Sequence, residues 1–179
     1  MKVFFDTEFT GLHKDTSLIS LGLVDEKGKT FYAEFLGYNA DQVNDWIQKN
    51  VIDNLKHKTC IENWCNEDLE HFECVGYSYY VKTQLIAWLS RYDSVELVSD
   101  VCHYDMVLFI DIFGGAFDLP ENVSPACHDI NQDIARHFNI SEREAFDKSR
   151  EEIADTIQDD KHNALYDAMV IKNIYEKVI

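Results

Sequence analysis

Proline is nearly absent from this chain and glycine is sparse, with 2 and 7 residues among 179. That composition excludes collagen-like repeats and argues against a disordered chain. No apolar run reaches the roughly 18 residues that a membrane span needs. The first residues do not read as a signal peptide, because Asp6 and Glu8 interrupt a short apolar run. Paired CxxC motifs are also lacking. The five cysteines, Cys60, Cys65, Cys74, Cys102 and Cys127, are odd in number and read as free thiols in a reducing compartment. The expectation is a soluble cytoplasmic protein without a membrane partner. His57, Cys60, Cys65, His71 and Cys74 crowd one stretch, but their gaps do not match common zinc spacings. A helical connection with buried thiols is the reading there. A zinc-binding module is the rival, which metal analysis would expose. Positive charge is scarce as well. Sixteen Lys plus Arg face 33 Asp plus Glu, a formal charge of −17. Tight coating of long duplexes needs a basic stripe and is disfavoured. Gripping a few terminal nucleotides through metal ions is not.

What is present is a hydrophobic content of 46%, enough for a core, in a chain the length of one domain covering residues 1–179. Lys2 to Phe9, Ser17 to Asp25 and Thr30 to Leu36 read as strands, the last two joined by a turn at Glu26 to Lys29, giving an antiparallel meander. Asp41 to Leu55 and Ser78 to Arg91 carry helical spacing. Ser94 to Val101 reads as a strand, and a helix from about Tyr104 to Phe113 ends at Gly114-Gly115. Ser124 to His128 reads as a short edge strand, since Pro125 is tolerated at an edge or a start. Asp129 to Phe138, Ser141 to about Ile157 and about His162 to Lys177 read as helices. Three consecutive strands followed by alternation predict an α/β fold with a mixed central sheet and flanking helices.

Several carboxylates sit where apolar side chains belong. Asp6 and Glu8 share one face of the first strand, which Val3, Phe4, Phe5 and Phe9 mark as central. Neighbouring acids raise each other's cost of ionisation. Asp167 lies within the stripe Ala164, Ala168, Ile171, Tyr175 and Val178 of the last helix. An unpaired buried carboxylate is costly, and a cation would repair the defect. Asp105 shares the inward face of Leu108, Phe109 and Ile112, just beyond a strand, where sites gather in α/β folds. The helix dipole alone would also favour an acid there. Asp100 is a rival from the same loop and Asp111 a weaker one. His162 stands at the mouth of the last helix, and an imidazole titrating near ~6.5 accepts a proton from water at neutral pH.

These residues resemble the DEDDh exonucleases, also called DnaQ-like or RNase-T-like. Phe5-Asp6-Thr7-Glu8-Phe9-Thr10-Gly11-Leu12 looks like the family's opening D-x-E motif. His162-Asn163-Ala164-Leu165-Tyr166-Asp167-Ala168 looks like its closing H-x4-D motif. His103-Tyr104-Asp105 is a looser middle match, with Asp100 and Val101 where many members carry His-Asn. The chain looks most like the short stand-alone exoribonucleases of bacteria and phages. The resemblance implies a ribonuclease-H-like fold and a single exonuclease domain. It implies 3′-5′ exonuclease activity, exoribonuclease in kind, releasing nucleoside 5′-monophosphates in RNA processing.

Two Mg²⁺ (or Mn²⁺) ions per active site suit four hard carboxylate ligands and an in-line attack on a phosphodiester. Asp6 is read as the bridging ligand, Glu8 and Asp167 as ligands on the nucleophile side, Asp105 as shared outer shell and His162 as general base. The partner is a single-stranded or overhanging 3′ end, RNA before DNA. Its last base would meet Phe9 and Leu12, its 3′ hydroxyl the backbone of Thr7 to Gly11, and its groove His103 and Tyr104. Core packing is an equal reading of Phe9. Homodimers occur in the family. The rivals are a nuclease for DNA ends or short oligonucleotides, and a catalytically silent scaffold that binds nucleic acid or protein. Against the scaffold, the motifs are complete.

Overall fold

The computed structural model describes residues 1–66, 68–156 and 161–179. Its framework is a seven-stranded sheet in the order β4-β5-β3-β2-β1-β6-β7. The strands are β1 (Lys2–Phe9), β2 (Leu18–Asp25), β3 (Thr30–Phe35), β4 (Trp64–Cys65), β5 (His71–Gly76), β6 (Val95–Ser99) and β7 (Val123–Asp129). The expected meander is present: β2 runs antiparallel to both β1 and β3. On the other side of β1, strands β6 and β7 add in parallel. The sheet is therefore mixed and β1 is central, as its apolar flanks predict.

Alternation along β1 divides the core. Val3 and Phe5 join Leu21, Leu23 and Phe31 beneath α2 (Ser78–Leu89) and α3 (Cys102–Phe113). Phe4 packs on the opposite face with Val24 and Val98 beneath α4 (Ile130–Phe138) and α7 (Ala164–Val178). Asp6 and Glu8 continue the line of Phe4, towards α7. Strand β1 pairs with β6 only through Lys2–Phe4, so its C-terminal half opens into a cleft.

Three expectations need correction. The helix expected over Asp41 to Leu55 is broken into a 3₁₀ turn (Ala40–Gln42), α1 (Asp45–Asn50) and a second 3₁₀ turn (Ile52–Asn54). Asn44 causes the restart, its side chain accepting from the Ile47 amide at 2.9 Å. The connection expected to be helical around residues 57–74 contains β4 and β5. Strand β5 lies parallel to β3, and alternation sends Cys74 into the core. His71 and Glu73 disguise that alternation as polar sequence. The helix expected from Ser141 to about Ile157 is split into α5 (Glu142–Phe146) and α6 (Arg150–Ala154). Ser149 caps α6, and Arg150 Nη1 takes the Ala145 carbonyl at 2.9 Å, which ends α5. Ile157 lies outside the described residues.

No helix among the described residues is long and apolar enough to cross a membrane. His57, Cys60, Cys65, His71 and Cys74 do not gather as a ligand group among the described residues. Instead, His57 Nε2 meets Glu73 at 2.8 Å and His71 Nδ1 meets Thr30 Oγ1 at 3.2 Å.

Candidate active site

Three elements bring the acids together. Strand β1 delivers Asp6 and Glu8, the first turn of α3 delivers Asp105, and the first turn of α7 delivers Asp167. Gly22 makes the docking of α7 possible. It stands opposite Asp6 in the β1–β2 register, and a Cβ there would lie 2.3 Å from the backbone of Ala164 and Leu165. Only a glycine lets the start of α7 rest on the sheet beside Asp6.

The acids form two groups. Ligand atoms of Glu8, His162 and Asp167 lie within 4.8 Å of one another, and so do those of Asp6, Asp100 and Asp105. Asp105 is 1% exposed; Thr7 Oγ1 donates to its Oδ1 at 2.6 Å and Ser99 Oγ donates to its Oδ2. Asp6 Oδ2 is buried with no hydrogen-bond donor among the described residues. Asp100 also enters the site, with one oxygen accepting Arg150 Nε at 2.8 Å.

Burial and mutual repulsion make these carboxyls hard to ionise. Asp6 is held well above the usual carboxylate range by burial, then by Asp105, Asp167 and Glu8. Burial, with Asp167 and Asp105, does the same to Glu8. Burial pushes Asp105 to about 7 against the hydrogen bonds of Ser99 and Thr7. Burial likewise pushes Asp167 to about 7, against the His162 amide bond. Without a cation these acids hold their protons to higher pH than ordinary carboxyls do. An unpartnered carboxylate oxygen within an all-oxygen donor set fits a hard divalent cation such as Mg²⁺ or Mn²⁺.

His162 precedes α7 instead of opening it; Asn163 is the helix cap. The backbone of His162 is left-handed at φ 66°, an unusual state for a non-glycine residue. Its amide donates to Asp167 Oδ2 at 3.0 Å, tying the two motif residues together. The half-buried ring stands edge-on to Trp46, with centroids 4.9 Å apart. Burial, then Lys161, lowers its pKa.

The cleft around these groups measures about 710 Å³. Phe9, Leu12 and Trp46 give it an apolar wall, while Lys148, Arg150 and Lys161 contribute cations from the opposite side of the sequence. Leu12 is 75% exposed. Phe9 stacks on Tyr104, with centroids 5.4 Å apart and an interplanar angle of 16°. Gly11 and Thr7 also border the cleft, although the Thr7 hydroxyl is committed to Asp105. His103 is exposed beside Tyr104, and neither lines the cleft directly. Asp111 is exposed on α3, outside the cleft.

Sequence reasoning missed Trp46, Arg150 and Gly22. The first two carry no local signal. Gly22, alone inside a strand pattern, is a recognised sign of close backbone approach.

No protein-family model matches the chain. A 3′-5′ exoribonuclease from two strains of Mycobacterium tuberculosis is 29% identical over 102 residues. That match takes in 54% of this chain, and the chain spans about 59% of the length of these curated relatives. A solved 3′-exonuclease, described as recognising the 3′ end of histone mRNA stem-loop, superposes with a TM-score of 0.67 at 13% identity. The alignment covers 97% of this chain and 61% of that one. The nuclease domain of 3′hExo, described as a DEDDh family member bound to rAMP, gives a TM-score of 0.65 at 14% identity. Coverage there is 97% and 88%. The chain therefore has the ribonuclease-H-like fold of DEDDh 3′-exonuclease domains, as the motifs led one to expect.

Proposed function

We propose that this chain is a metal-dependent 3′-5′ exonuclease acting on RNA 3′ ends and releasing nucleoside 5′-monophosphates. One observation carries the reading. Four acids from β1, α3 and α7 converge with His162 in one cleft, where the buried Asp6 Oδ2 has no hydrogen-bond donor among the described residues. The names of the Mycobacterium tuberculosis relatives, and the rAMP bound by the 3′hExo nuclease domain, favour RNA over DNA.

Asp6, Glu8, Asp105 and Asp167 would hold Mg²⁺ or Mn²⁺, two ions by the two-group arrangement. Bound there, such ions acidify water and offset charge on phosphate and leaving oxygens. The remaining work falls to the chain itself. The bond from the His162 amide to Asp167 and the Trp46 ring hold the imidazole over the Glu8 and Asp167 carboxylates. From there His162 takes the proton of the attacking water, and its lowered pKa keeps it neutral for that task. Phe9, backed by Tyr104, and Leu12 offer the terminal base an apolar platform. Such stacking is worth about 1–3 kcal/mol per base and tolerates any sequence. Lys148 and Lys161 bring positive charge to the cleft of an otherwise acidic chain and would meet the backbone phosphates, Lys161 by exchanging its ion pair with Glu151 at 3.0 Å.

The test is digestion of matched 5′-labelled RNA and DNA strands. With Mg²⁺ or Mn²⁺, RNA should shorten as a ladder from its 3′ end, and chelation should stop it. Faster loss of DNA would reassign the substrate. No degradation of either strand would leave a nucleic-acid-binding scaffold as the better account.

A further inference from the structure

Two of the five thiols lie side by side next to the site. Cys102 is the first residue of α3, and Cys127 lies on the edge strand β7. Their sulfurs are 3.1 Å apart, and both residues are partly exposed. A disulfide requires about 2.05 Å between sulfurs, so they must approach by roughly 1 Å. We propose that Cys102 and Cys127 are a redox modification site, joined reversibly by a disulfide oxidant of the glutathione class and coupled to the acids of the cleft.

The chemistry balances without a metal. One cysteine, as its thiolate, attacks oxidised glutathione, forming a mixed disulfide and expelling one glutathione thiolate. The second cysteine loses its proton to solvent, displaces the remaining glutathione as thiolate and closes the bond. Two protein thiols and one glutathione disulfide become one protein disulfide and two glutathione thiols.

The coupling runs through Ser99. Its hydroxyl donates to Asp105 Oδ2 and accepts from the Val101 amide at 3.0 Å. Its carbonyl accepts the Cys102 thiol at 3.5 Å. Cys102 thus stands between Ser99 and Asp105, on the turn that holds Asp105 against Thr7. The Cys102 thiol also reaches the His128 carbonyl of β7, at 3.3 Å. Closing the bond draws this turn towards β7 and removes the one thiol proton that the Ser99 and His128 carbonyls share. A shift of about 1 Å in a catalytic arrangement costs on the order of 10²-fold in rate.

The experiment treats the full chain with oxidised glutathione, traps free thiols and maps peptides without reduction. The expected product is a Cys102–Cys127 cross-link, reversed by dithiothreitol and missing from Cys102→Ser and Cys127→Ser. RNA turnover of the wild type should fall by about ten- to a hundredfold on oxidation and recover on reduction. Cys127→Ser, altered on an edge strand outside the cleft, should keep its turnover under the same oxidant. Absence of a cross-link overturns the proposal, as does one joining Cys65 to Cys74, the cross-strand neighbours of β4 and β5. A Cys102–Cys127 bond that leaves turnover unchanged overturns the coupling. The turnover arm rests on the exonuclease reading, whereas the mapping arm does not. A protein inactive even when reduced therefore indicts that reading, and the mapping still decides the disulfide.

Discussion

Asp105 and Asp100 lie in the same group of carboxylates yet are held differently. Asp105 accepts one hydroxyl donor on each oxygen, which leaves lone pairs free towards Asp6, whereas Asp100 already has a cation, Arg150, on one oxygen. On the proposed reading, an Asn at 105 would remove a charge that the cation needs. An Asn at 100 removes a charge that Arg150 already balances. Asp105→Asn should abolish digestion of labelled RNA and Asp100→Asn should preserve most of it; the reverse pattern would place the middle ligand at 100. His162 touches the site through its ring and through its backbone bond to Asp167. The backbone bond survives truncation of the ring. His162→Ala should therefore leave Mn²⁺ affinity, measured by calorimetry, near that of the wild type while turnover drops about 10²–10⁴-fold. Unchanged turnover would remove His162 from the mechanism. Both motif ends were legible from sequence because each is local: D-x-E is one strand face, and Asp167 is one position in a helical stripe. The Trp46 ring against His162 and the Arg150 clamp on Asp100 were not legible. Their partners are far apart in sequence, and no periodicity relates them.

Among the elements, α7 depends closely on a single residue of the sheet. Its start lies against the backbone-only surface of Gly22, and Asp167 follows one turn later. Gly22→Val would force α7 off the sheet at the position opposite Asp6. The expected result is a thermal midpoint lower by several degrees and loss of RNA digestion, because two halves of the acid set separate. Retention of both by Gly22→Val would show that α7 docks differently. Helices α2 and α3 and strands β1 to β3 followed their sequence patterns closely, since buried stripes and alternation are intrinsic to those elements. The break between α5 and α6 was less visible. It depends on Arg150 reaching the Ala145 carbonyl and on Asp100 receiving that same side chain. Strand β5 was hidden for a related reason. Its pairing partner β3 lies far upstream, and only that pairing gives its polar positions a face.

At the scale of the whole molecule, concentrated negative charge makes the metal-free protein sensitive to pH. Asp105 and Asp167 have folded-state pKa values of about 7, and Asp6 and Glu8 are also raised by burial and repulsion. Unfolded carboxyls titrate near ~4. Between those values the folded chain binds more protons than the unfolded one, so stability falls as pH rises towards 7. The contribution is fully present below about 4 and lost above the folded values. His162, lowered by burial, acts in the opposite sense, but it is one group against four. In calorimetry without metal, the thermal midpoint should be lower at pH 8 than at pH 6. Mg²⁺ or Mn²⁺ should raise it more at pH 8, above the values of about 7 for Asp105 and Asp167. Equal midpoints with no response to either ion would contradict a cation site.

The sequence alone determined the α/β pattern, the two outer motifs and the candidate acids. Each is carried by spacing along a short stretch, which a strand or helix converts directly into a shared face. Only the tertiary structure decided which acids meet. It brought Asp100 and Arg150 into the cleft, left Asp6 Oδ2 without a donor among the described residues, and set Cys102 beside Cys127. These arrangements arise from packing between elements distant in sequence, through contacts such as Gly22 against Ala164 that no local pattern encodes.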